Sequence, residues 1–371
     1  MKTLLLVYVH GFKGGATTFA DFPGHMEFQL KKLYKASDTA VKIATIVYPP
    51  YETKGNLEDS VRTFVTFLET AVIDYEVANG THSPVVSPSV GVILVAHSMG
   101  GLVVSDATIE ILARDANYVF PKVIGLLCFD SPFLGLHASV FAQDVLGRGA
   151  AKFKELQSAS SAVPLTAAAS YLFAKKSKEQ PKREGEKVEE KKTNWGKIAG
   201  LAAAGIATTA AAAAGTAWYL KSQNVDLNWA QEHLVFVGAI FKKPAVLRER
   251  LWTLFQSRQR VQMIDYFTVI QPKEDSSNNS QQAGDVDPAQ VAKGLGKLVS
   301  GEGDGKRTFC NIPKEVPYSE FYVPAENPQA QGEIEAHITM FEMGKNPKYR
   351  PMLMNCVERV SGWASGFLSS Q

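Results

Sequence analysis

Apolar residues in the first third of the chain come in short unbroken runs separated by amphipathic stretches. Leu4 to Val9, Val41 to Tyr48, Gly91 to Ala96 and Val123 to Phe129 are the runs. A continuous apolar run of this length predicts a strand buried on both faces of a parallel sheet. Between them, Phe22 to Lys35 and Leu57 to Tyr75 carry apolar residues at helical spacing, with Val61, Phe64, Phe67, Leu68 and Val72 on one face. Leu102-Val103-Val104 opens a third helix running to about Asn117. The order is β-α-β-α-β-α-β, which implies a doubly wound α/β sheet.

The pattern then breaks. From about Leu136 to Lys243 come a small-residue region and a run from Lys175 to Lys192 with eight basic and five acidic residues. That composition belongs to a solvated linker. Ile198 to Leu220 carries no charge and ends in Trp218-Tyr219-Leu220. It is long enough to span a bilayer, yet alanine contributes little to insertion. Two readings stand: a membrane-inserted or membrane-surface helix, and a soluble helix packed over the site. Trp229 to Phe241 predicts an amphipathic helix bearing His233. Helix at Leu247 to Phe255, strand at Val261 to Ile270 and a last strand at Arg307 to Ile312 resume the sheet. Gln271 to Lys306, rich in Ser, Asn, Gln and Gly, reads as a loop, and Tyr349 to Phe367 as a closing helix. The expected organisation is core at 1–135, helical insertion at 136–243, and core again at 244–371.

Composition narrows the class. The 371 residues are 45% hydrophobic and 20% charged, as in a soluble globular protein, and the net charge of +2 argues against a nucleic-acid partner. Cys128, Cys310 and Cys356 have no metal-site spacing and cannot all pair. A reducing, intracellular location follows, cytoplasmic or membrane-associated rather than secreted. The apolar N-terminus lacks a cleavage site and runs straight into His10-Gly11-Phe12, so it is expected to be the first core strand rather than a signal peptide.

The chemistry clusters where strands end. Ala96-His97-Ser98-Met99-Gly100-Gly101 is a small-x-Ser-x-Gly turn between a buried strand and a helix, the context of a nucleophile elbow. The alternative for Ser98 is a serine capping an ordinary strand-to-helix turn. His10-Gly11-Phe12-Lys13-Gly14-Gly15 fits neither phosphate-binding glycine pattern, but an H-G-x loop in this place can supply an oxyanion-hole amide. The expected donors are the backbone N–H groups of Phe12 and Met99, with His10 and Gly11 shaping the loop. A serine nucleophile needs a base and an anionic partner for it. Of seven histidines, His97 adjoins the serine, and His10 and His25 come too early. His82 lies in a turn, and His137 and His233 sit in or near the insertion, which leaves His337 for the Ser…Asp/Glu…His order. Asp130, directly after the strand that follows the elbow helix, is the favoured acid. Asp265 is the alternative, and Asp275, Asp285 and Asp287 also stand open. In open α/β sheets ligands bind past the carboxyl ends of strands, and His10, Ser98 and Asp130 all sit there.

Taken together, the V-H-G-F loop, the A-H-S-M-G-G elbow, the D-S-P-F-L-G turn and the late E-A-H-I-T-M-F segment resemble a eukaryotic, mainly fungal, group of α/β-hydrolases, lipase-like serine esterases. The resemblance covers most of the chain and weakens across 140–225 and 271–306. It implies an α/β-hydrolase fold and ester hydrolysis with no cofactor and no metal, Ser98 and His337 matching the nucleophile and histidine. It also implies that the fold's two leading strands are absent, leaving about six. The expected substrate is a lipid or acyl ester, with the insertion as a lid. The competing readings are a non-catalytic, membrane-associated binding protein and a thioesterase or amidase on the same site.

Overall fold

The computed structural model describes residues 1–11, 14–37, 40–51, 56–114, 119–137, 140, 244–270 and 307–370. By contacts the chain divides into two units, and the described residues fall in the one made of Met1–Val140, Leu227–Ala283 and Gly296–Gln371. The other unit, Phe141–Asp226 with Gly284–Leu295, lies outside them. So do most of the expected insertion, including Ile198 to Leu220 and His233, and the loop at 271–306 with Asp275, Asp285 and Asp287.

The first four strands are β1 (Lys2–Val9), β2 (Val41–Val47), β3 (Val90–His97) and β4 (Val123–Phe129). After them come β5 (Gln262–Ile270), β6 (Arg307–Thr308) and β7 (Tyr322–Glu326). The helices are α1 (Phe22–Ala36), α2 (Leu57–Ala78), α3 (Gly100–Leu112), α4 (Pro244–Gln256), α5 (Glu333–Thr339) and α6 (Tyr349–Ser369). The sheet runs β2-β1-β3-β4-β5, all parallel, with β7 parallel and β6 antiparallel to β5. Among the described residues this is a mostly parallel α/β sheet of seven strands, one more than the apolar runs predict.

Period-two alternation sorts the strand side chains into two cores. Leu5, Val7, Val9, Val92, Leu94, Ala96 and Cys128 pack with α2, α3 and α4 on one face. Leu4, Leu6, Tyr8, Ile93, Val95, Leu127 and Phe129 pack with α1 and α6 on the other. Every residue from Leu4 to Val9 is fully buried, and each such Leu or Val contributes about 1.5–3 kcal/mol by leaving water. Because α1 follows β1 onto one face and α3 follows β3 onto the other, the loops leaving these two neighbours diverge. The crevice between them is the switch point where open α/β sheets bind ligands.

Candidate active site

The turn after β3 is held in a strained geometry. Ser98 has φ of 56°, in the left-handed region that non-glycine residues rarely adopt. Its backbone N–H donates to Phe129 O at 2.9 Å, which ties the turn to the end of β4. A side chain on Gly100 would collide with the carbonyl oxygens of Val9 and His10, and one on Gly11 would stand 2.7 Å from Ser98 Cβ and 3.1 Å from Met99 N. Glycine at both positions lets the β1 loop close directly onto the elbow. The strain is a marker of a functional turn, and among the described residues no hydrogen-bond partner engages the Ser98 hydroxyl or the Met99 N–H.

The β1 loop is braced from within. His10 Nδ1 lies 3.0 Å from Gly11 O, so that nitrogen carries the proton, since a carbonyl only accepts. The ring stacks on Tyr51 at 4.9 Å, and the Tyr51 hydroxyl donates to His10 O at 2.9 Å. Phe12, the expected second oxyanion donor, lies outside the described residues.

A second strained turn follows β4. Asp130 has φ of 47°, is fully buried, and donates its N–H to Tyr266 O at 2.8 Å. Three donors converge on its carboxylate. Thr268 supplies its N–H to Oδ1 at 2.7 Å and its hydroxyl to Oδ2 at 2.6 Å, and His337 Nδ1 reaches Oδ2 at 3.1 Å. The Cys310 thiol donates to Asp130 O at 3.1 Å. Since a carboxylate only accepts, His337 carries a proton on Nδ1, the tautomer in which Nε2 of the neutral ring is the acceptor.

His337 sits on α5, 6% exposed, clamped on both ring faces. Phe309 stacks on one at 3.7 Å and 10° between planes, and His97 on the other at 4.3 Å and 26°. The helix is fixed one turn earlier by Glu333, 1% exposed, which receives Arg307 Nε at 2.8 Å and Nη2 at 2.6 Å. The structure therefore joins Asp130 to His337 and brings His97, the residue before Ser98, against the same ring.

Asp265 is elsewhere. It lies within β5, fully buried, and its Oδ1 accepts the Ser131 N–H at 3.1 Å while Oδ2 has no partner among the described residues. No hydrogen bond links it to His337. Burial, and beyond it the charge of Asp130, holds this carboxyl well above the usual carboxylate range. Thr268, Phe309 and His97 were missed as site residues by the sequence reading. A threonine inside an apolar strand is a weak signal, and nothing in the order of the chain points to Phe309. Among the described residues no group of three His, Cys, Asp or Glu side chains could hold a metal ion. A cavity of about 580 Å³ is lined by Lys2, Lys122, Val123 and Gln262 at the opposite ends of the strands, away from Ser98.

Residues 1–195 match the family described as putative serine esterase (DUF676). The chain belongs to this family. The matched span holds Ser98 and Asp130 of this esterase-family chain and stops short of His337. Two solved structures of phospholipase PlaB from Legionella pneumophila, one in complex with thio-NAD, give TM-scores of 0.28 at 20% and 19% identity. They align over 39% of this chain and only 29% and 28% of theirs, an extent that carries no mechanistic weight. No curated protein matches the sequence. Among the described residues no helix is long and apolar enough to cross a membrane.

Proposed function

We propose that the chain hydrolyses carboxylic esters of lipids or other acyl compounds through Ser98, His337 and Asp130. The observation that carries this reading is the 3.1 Å contact of His337 Nδ1 with Asp130 Oδ2, which leaves Nε2 free to accept a proton. In the first half-reaction Ser98 Oγ attacks the ester carbonyl while His337 Nε2 takes the hydroxyl proton, and Asp130 stabilises the imidazolium. The oxyanion is received by the N–H groups of Met99 and Phe12. Collapse expels the alcohol, which takes the proton from Nε2, and leaves an acyl-Ser98. Water, deprotonated by the same nitrogen, then releases the acid and restores the serine.

An acyl substrate is supported by the outer face of α5, where Ile334 is 40% and Ile338 59% exposed beside His337. Cys128, Cys310 and Cys356 stand as buried free thiols, which suits an intracellular, reducing compartment. A non-catalytic binding role is favoured by one observation, that no hydrogen bond joins Ser98 to His337. Catalytic hydrogen bonds commonly tighten only when substrate arrives.

Labelling by a fluorophosphonate probe separates the two. The native protein is expected to label and Ser98→Ala to stay blank, with ester turnover following the label. A folded native protein that never labels, even with detergent or lipid present, would end the enzymatic reading. Competition among oxygen esters, thioesters and amides then assigns the bond cleaved.

A further inference from the structure

The residue preceding the nucleophile is buried, polar and committed to the base rather than to the serine. His97 ends β3, is 6% exposed, and lies between Phe19 and Phe341 on one side and His337 on the other. Its Nε2 stands 3.2 Å from the backbone carbonyl oxygen of His337, so Nε2 is the protonated nitrogen and donates. Its ring lies over the His337 imidazole at 4.3 Å. One side chain thus fixes both the backbone and the ring plane of a residue 240 positions away.

We infer that His97 is a positioning residue, which registers the base His337 to the nucleophile Ser98 through a ring stack and one hydrogen bond. The geometry requires such a device. Asp130 and Phe309 hold His337 from β4 and from the segment after β6, but neither belongs to the elbow. His97 shares its peptide bond with Ser98, so any shift of the imidazole relative to the serine must break the stack or the Nε2 contact. With no Ser98–His337 hydrogen bond in the resting protein, His97 is the short tie between the two reacting groups, beside the longer route from the Ser98 N–H through Phe129 O to Asp130 and His337. The inference rests on the esterase reading for its kinetic consequence, but not for its structural one.

Three variants test it. His97→Ala removes both contacts, His97→Phe keeps a ring for the stack, and His97→Gln keeps a donor near the Nε2 position. Misplacement by about 1 Å costs on the order of 10²-fold in rate, so His97→Ala is expected to lose that much in kcat with KM within about twofold. His97→Phe and His97→Gln should each recover part of the loss. The second readout is independent of turnover: the proton on His337 Nδ1, held by Asp130, should give a slowly exchanging downfield proton NMR signal. That signal should shift or broaden in His97→Ala. Should His97→Ala fail to fold, the same two criteria apply to the Phe and Gln variants. An unchanged signal, whether kcat falls or not, would overturn the inference, as would an effect confined to KM. If the native protein shows the signal but no ester turnover, the esterase reading fails and the structural claim is still decided by the signal.

Discussion

At the scale of single residues, two buried aspartates, one just past the end of β4 and one within the neighbouring β5, have opposite environments. Asp130 receives three donors on its carboxylate, whereas Asp265 receives one and has an oxygen with no partner among the described residues. A carboxyl kept neutral by burial loses little when replaced by the amide of the same shape, while an acceptor that orients a base loses its function. Asp130→Asn is therefore expected to lower kcat by about 10⁴-fold with the fold retained, and Asp265→Asn to leave turnover within about threefold. Ester turnover and far-ultraviolet circular dichroism on both variants check this. Comparable losses would dissolve the distinction. Sequence order favours Asp130 over Asp265 by its place just past a strand, but it does not display the left-handed turn at Asp130 or the Thr268 donors on another strand.

Among elements, α5 is the least self-sufficient. Its seven residues, Glu333–Thr339, are too few to be stable alone, so its position depends on the Arg307–Glu333 pair and the Phe309 stack. Arg307→Ala removes both guanidinium hydrogen bonds from the buried Glu333. Breaking such a pair costs about 3 kcal/mol, the low end of the range because Arg307 keeps some contact with water. Urea titration should show the loss, and esterase activity should fall earlier in urea than global structure as α5 detaches. The same reasoning explains what could be read from sequence. Strands β1, β3 and β4 are buried on both faces and so appear as unbroken apolar runs. β7 has mixed burial and Pro324, tolerable only where a ladder donor is dispensable, and its five residues gave no run to find. The expected last strand at Arg307 to Ile312 is the two-residue β6, antiparallel to β5, and the parallel strand that joins β5 beyond β4 is β7 instead. For α5, sequence offered a late histidine but no helix, because seven residues, about two turns, are too short for a period to be detected.

For the whole molecule, protons taken up or refused on folding set the pH range of stability. Burial, and next the neighbouring His337, pushes His97 well below the usual histidine range. Below pH ~6.5 the unfolded chain therefore binds a proton at His97 that the folded chain refuses, and stability falls on acidification by about 1.4 kcal/mol per pH unit for that one proton. Asp265 acts in the other direction: the fold keeps a proton that the unfolded chain releases above pH ~3.9, so its contribution shrinks as pH rises from there. Urea midpoints against pH should show a shallower acid decline in His97→Phe, and Asp265→Asn should be relatively stabilised toward neutral pH. An acid decline identical in the native protein and His97→Phe would refute the assignment to His97.

The distances along the chain between site residues also have a consequence in time. His337 lies 207 positions after the carboxylate it contacts and 240 after the histidine it stacks on. On a ribosome that delivers about 5–20 residues each second, the first four strands and the elbow emerge well before any base exists to serve them. On the proposed reading, a growing polypeptide therefore carries an inert serine until His337 has emerged. Chains stalled short of α5 should be blind to a fluorophosphonate that marks chains extending past it.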